Sequence, residues 1–139
     1  MRRTVLTAIA LLIVTVTIWP PSTFVGHSHW DQVEWIPFTH ALHPLDILLN
    51  VLLFTPFGAA FVSGHRRAPI VPAVLAAALL SLSVETVQVY CHGHFPTMTD
   101  VLSNVTGAWL GARLAARRSA AAVAAQRAAE PRLRNPRQA

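Results

Sequence analysis

Apolar residues in this chain fall into four long runs. The first, residues 4–19, contains no charge; the second, 45–63, is interrupted by Asp46, Asn50 and Pro56. The third, 70–90, contains Glu85 and Gln88, and the last starts at Asp100 and fades near Ala116. A helix crossing a bilayer needs ~20 apolar residues, with roughly 17 to 25 tolerated. The third run fits directly. The first and last are short and borrow length from Arg2, Arg3, Arg113 and Arg117, whose stems can snorkel to the interface. Lipid offers the backbone no hydrogen bonds, so each span must be helical. The first run ends in Trp19-Pro20-Pro21 with no small-x-small cleavage site, so it reads as a retained anchor and not a signal peptide. The pattern therefore predicts an all-α polytopic membrane protein, a bundle of four transmembrane helices at about 4–19, 45–63, 70–90 and 99–116. Residues 1–116 form the membrane domain and 117–139 an Arg- and Ala-rich tail, where Pro131 and Pro136 are expected to end any helix.

Composition agrees with this solvent. Of 139 residues, 53% are hydrophobic and only 12% charged, against ~25% charged in an ordinary soluble domain. The net charge is +5, from 11 basic residues, all arginine, and 6 acidic ones. Such basicity could suggest nucleic acid, but the arginines sort by position instead. Arg2 and Arg3 precede the first span, Arg66 and Arg67 lie between the second and third, and the other seven lie at or beyond the end of the fourth. With four spans and both termini in the cytoplasm, every arginine is inside. The expected location is the cytoplasmic (inner) membrane, multi-pass, with the lipid bilayer as partner and no nucleic acid. The single cysteine, Cys91, excludes an internal disulfide.

Ionisable groups within spans are costly, so those present are informative. In this topology Asp46 lies at the outer end of the second span, with Asn50 one turn deeper; Asp100 and Asn104 repeat that arrangement in the fourth. Glu85 and Gln88 lie in the outer half of the third. Asp46-Ile-Leu-Leu-Asn50 and Asp100-Val-Leu-Ser-Asn104 are similar pentapeptides on two helices running the same way. Capping or the helix dipole accounts for Asp46 and Asp100 as readily as chemistry does, and Asn50 and Asn104 serve equally well as interhelical glue. Glu85 is different, because a carboxylate near a helix C-terminus opposes the dipole.

Gly107 and Gly111 form a Gly-x-x-x-Gly face that permits close helix approach, within the chain or in a homo-oligomer. Pro56 and Gly58 are expected to break or kink the second span, as part of helix packing. The pairs His40 with His43 and His92 with His94 could reach a metal, but no His-Glu-x-x-His motif is present. No metal and no cofactor is expected.

Taken together, Ile36-Pro37-Phe38, Asp46 to Asn50, Phe54-Thr55-Pro56-Phe57-Gly58, Ser83-Val84-Glu85 with Gln88, and Asp100 to Asn104 with Gly107 and Gly111 resemble the VanZ-like family. The resemblance runs from Trp35 to Arg113. It implies a short bacterial cell-envelope membrane protein; the family's founding member is linked to low-level resistance to teicoplanin, and most relatives lack a defined activity. The family usually carries an arginine six residues before the last-helix aspartate and often an acid three before it, where this chain has His94 and Thr97.

These readings converge on an outward-facing polar site with candidate ligand-binding residues Asn50, Glu85, Gln88, His94, Asp100 and Asn104. Its expected ligand is an envelope lipid or glycopeptide, and the expected outcome is glycopeptide tolerance without catalysis. Two other roles fit the same residues. One is an intramembrane enzyme with Glu85, Asp100 and Asp46 as acid and base candidates; the other is a structural subunit docking through Gly107 and Gly111.

Overall fold

A computed structural model describes residues 2–19, 24–39, 43–65 and 68–134; the side chains of Arg2 and of residues 130–134 are outside that description. Four α-helices follow in order: α1 (Arg2–Ile18), α2 (Pro44–Val62), α3 (Ile70–Gln88) and α4 (Met98–Arg134). A 3-10 turn, Trp30–Gln32, lies in the first connection. There is no strand among the described residues, only two isolated bridges, Phe24 with Cys91 and Glu34 with Thr97. The all-α expectation holds, and the four helices begin within two residues of the expected positions. Arg66, Arg67 and Arg137 lie outside the described residues.

The α2–α4 pair is the spine of the bundle. The two helices run parallel with their backbones in direct contact: a methyl group on Gly107 would overlap the carbonyl oxygen of Val51, and one on Gly111 that of Thr55. Gly58 answers from the other side, facing the carbonyl of Ala108. The spacing of four is the same on both helices, so the register repeats once per turn. This face is filled by the chain's own α2, which is the within-chain one of the two uses expected of Gly107 and Gly111. Pro56 sits inside α2 without ending the helix, so α2 is not broken there, and its side chain is exposed.

α3 closes the bundle with a second stripe of small residues. Ala73, Ala77 and Ser81, all at 0% exposure, follow one another at four-residue spacing, which keeps one face towards α4. Ile13 of α1 enters a cluster with Phe54, Phe57, Ala77 and Ala108. Larger apolar side chains point away, among them Leu48, Leu49 and Leu52 of α2 and Val71, Leu75 and Leu79 of α3. In the apolar windows of α2 and α3 only 22% is buried. Small residues inside and leucines outside is the arrangement of a membrane protein, where close van der Waals packing replaces the hydrophobic effect between helices. These two helices are long and apolar enough to cross a membrane, and α1 is a shorter apolar helix.

α4 does not stop near Ala116. It runs 37 residues in all, from Met98 to Arg134, three residues past Pro131, so the tail up to that point extends the helix. Alanine's high helix propensity explains this continuation without packing. The described side chains from Arg117 onward are exposed.

Candidate functional site

Four helix ends meet at one end of the bundle: the C-termini of α1 and α3 and the N-termini of α2 and α4. The first connection folds across this end and is stitched to the third. Val25 N–H donates to Tyr90 O at 2.7 Å, His29 N–H to Val89 O at 3.0 Å, and Glu34 N–H to Pro96 O at 3.0 Å. Met98 N–H returns to Glu34 O at 3.0 Å. Phe38 is held at φ 63°, an uncommon conformation for a bulky side chain, and its N–H donates to Thr99 Oγ1 at 3.0 Å. These bonds make a cap over the bundle.

Beneath the cap opens a cleft of about 540 Å³. Its wall carries three carboxylates, Glu34, Asp46 and Asp100, and two imidazoles, His43 and His94. Gln88, Thr97 and Thr99 add polar groups, and Ile47 and Phe95 apolar ones. Among the described residues no arginine contributes to the lining. The cleft is an acidic, acceptor-rich site of a size that fits part of a drug-sized ligand.

The α4 N-terminus shows how its chemistry is held. Thr97 precedes the helix, and its Oγ1 accepts from Asp100 N–H at 3.0 Å, as an N-cap does. The sequence Thr-x-x-Asp has the form of a capping box, in which the fourth side chain would return to the cap's own N–H. Here that return comes from another helix. Glu85 Oε2 accepts from Thr97 N–H at 3.0 Å, which leaves the Asp100 carboxylate to accept from Asn50 Nδ2 at 2.6 Å. Asp100 is thus the third residue of α4 and not its cap. Asp46 is likewise the third residue of α2, after Pro44 and Leu45, and the N-cap His43 makes no side-chain capping bond. Both carboxylates lie where the helix dipole favours negative charge.

Of the residues expected at the site, Asp46, Gln88, His94 and Asp100 line the cleft. Gln88 also ties α3 to α1 by donating from Nε2 to Thr17 O at 3.0 Å. Asn50 and Glu85 stand one layer behind, positioning Asp100 and Thr97. Asn104 is a correction: it is 4% exposed and donates from Nδ2 to Ser81 Oγ at 2.9 Å, inside the bundle. Its Oδ1 has no partner among the described residues. The two similar pentapeptides do meet, but asymmetrically, with Asn50 reaching Asp100 while Asn104 turns to α3. Glu34, Thr97 and Thr99 come from the sequence unannounced. The Thr97-x-x-Asp100 pattern was the available signal for Thr97; Glu34 had none, because it arrives through the cap. His40 lies outside the described residues; His94 lines the cleft, with its Nδ1 3.4 Å from the His92 carbonyl.

Fold and site together define a small all-α protein, with two helices long and apolar enough to cross a membrane and an acidic cleft under a loop cap at one end of its bundle. Residues 5–119 match the VanZ/LLP1 family model, and the chain belongs to that family. It is 28% identical over 90 residues to Protein VanZ of Enterococcus faecium, a match covering 65% of this chain and 56% of that protein. The match thus spans little more than half the length of that relative. No solved structure matches the chain significantly.

Proposed function

We propose that this VanZ-family protein crosses the cytoplasmic membrane four times with both termini inside, and that its cleft binds an envelope lipid or glycopeptide on the outer side. By this binding it contributes to tolerance of teicoplanin-type glycopeptides. The observation that carries the reading is the acidic cleft at the bundle end farthest from the arginines of α4. Carboxylates and a glutamine suit the hydroxyl, amide and amine donors of a glycopeptide or glycolipid. Along α4, Asp100 and Arg117 stand about 26 Å apart at 1.5 Å per residue, close to the ~30 Å of a hydrocarbon core.

The binding role is tested by expressing the protein in a susceptible host and measuring the teicoplanin concentration that stops growth. The native chain should raise it. The double variant Asp46→Asn, Asp100→Asn should return it to the empty-vector level, because residue 100 keeps an oxygen for Asn50 while the cleft loses two charges. Native-like tolerance in that variant, or none in the native chain, would sink the reading.

Topology has its own measurement. Alkaline phosphatase, active only outside the cytoplasm, should be active when fused after Gly26 and inactive when fused after Gly64 or Ala139. Activity after Ala139 would rule out the four-span arrangement.

A further inference from the structure

Three imidazoles meet on the cap, beside the cleft. His27 and His29 come from the α1–α2 connection and His92 from the turn after α3, and their candidate ligand atoms all lie within 4.8 Å of one another. The ring centroids are 4.7 Å apart for His27 and His29, 5.6 Å for His27 and His92, and 5.1 Å for His29 and His92. The backbone dictates this meeting. The Phe24–Cys91 bridge and the bonds from Val25 and His29 to Tyr90 and Val89 clamp the two loops side by side. His92, directly after Cys91, is thereby delivered to the pair flanking Ser28.

The trio has the properties of ligands. His29 Nε2 is buried and has no hydrogen-bond partner among the described residues; a buried polar atom left so is an exception that calls for a reason. A neutral imidazole nitrogen is the commonest protein ligand for a transition metal. His27 and His92 are exposed, so their rings can turn inward without repacking the bundle.

We propose that His27, His29 and His92 form a binding site for one divalent late transition-metal ion of the zinc type. Zinc holds imidazole nitrogens at about 2.0–2.1 Å, which places neighbouring ligands roughly 3.3 Å apart in a tetrahedron. Rotation of the two exposed rings closes the present spread to that value. An all-nitrogen set selects zinc-like ions over magnesium or calcium, which take oxygen ligands. Three protein ligands leave a fourth position for water or an incoming donor. The site also bears on the cleft. Gly93, held at φ 76°, and His94 both line the cleft and directly follow His92, so an ion on His92 fixes that part of the wall.

The test uses the full chain in detergent micelles, carrying an affinity tag without histidine and stripped with EDTA. Titration with Zn2+ in a calorimeter should give one ion per chain, and the ion should raise the unfolding temperature. His29→Ala and His92→Ala should each weaken binding at least tenfold, while His65→Ala, at the other end of the bundle, leaves it unchanged. Exposed His92 also takes a milder variant, His92→Gln, which guards against misfolding and should show the same loss. Co2+ should give the visible bands of a tetrahedral site in the native protein and lose them in His92→Gln. No binding by the native chain, native affinity in both His29→Ala and His92→Gln, or an equal loss in His65→Ala would overturn the site.

Discussion

Replacing Gly111 by leucine is expected to unfold the bundle, not to dissociate an assembly. The Cβ alone would overlap the carbonyl oxygen of Thr55 and crowd the backbone nitrogen of Ala59. Backbone atoms of a helix cannot rotate away as a side chain does, so α2 and α4 must separate along their length. Overpacking a core costs typically 1–3 kcal/mol when side chains can adjust; here they cannot, and the loss should be about 3 kcal/mol or more. Gly111→Ala should already be strongly destabilising, and Gly107→Ala likewise through Val51. Gly26→Ala is the control, since nothing among the described residues lies within 4 Å of its added methyl group. Helix content followed through a denaturing-detergent titration measures the effect. If Gly111→Leu retained native stability and only its oligomeric state changed, the glycine face would serve a partner after all.

The second large effect separates a positioning role for Glu85 from a chemical one. Glu85→Leu removes the acceptor of Thr97 N–H, and a part-buried donor left without a partner costs about 1–3 kcal/mol. The α4 cap should loosen, and with it the Asp100 carboxylate in the cleft wall. Glu85→Gln keeps an amide oxygen for the same N–H and should cost under about 1 kcal/mol, with teicoplanin tolerance near native. A general base would not survive that change. Full loss of tolerance in a stably folded Glu85→Gln protein would therefore return Glu85 to the chemistry. Thr97→Ala, which removes only the cap oxygen from Asp100 N–H, should fall between them at ~1 kcal/mol. Thr97 and Glu85 share one network, so their effects should not add.

Several parts of the site were legible because they follow from local rules. Intramembrane polar residues are few, and their depth follows from counting along helices, so Asp46, Gln88 and Asp100 could be placed at one level without coordinates. What that counting lacks is rotation about the helix axis. Asn50 and Asn104 occupy equivalent places in two similar pentapeptides. One points at Asp100 while the other turns into Ser81, because α4 meets α2 on one face and α3 on another. Glu34 and the three histidines of the cap were beyond reach for a different reason: loops carry no periodicity, and His27 and His92 are brought together by backbone bonds between distant segments. Local pairing rules favoured His92 with His94, which the turn at Gly93 sends to different sides.

The amino-acid sequence by itself determined that this chain is a bundle of four helices, where each begins, and that the arginines of α4 and the cluster of acids lie at opposite ends. Those properties depend on hydrophobic run length and charge position, which act residue by residue. Only the tertiary structure decided that the glycine face is spent on α2, that Glu85 completes a cap on another helix, and that Asn104 lies inside the bundle while Asp46 and Asp100 face the cleft. These depend on which helix face meets which neighbour. Small residues and single hydrogen bonds set that choice, and each contributes too little on its own to be read from sequence.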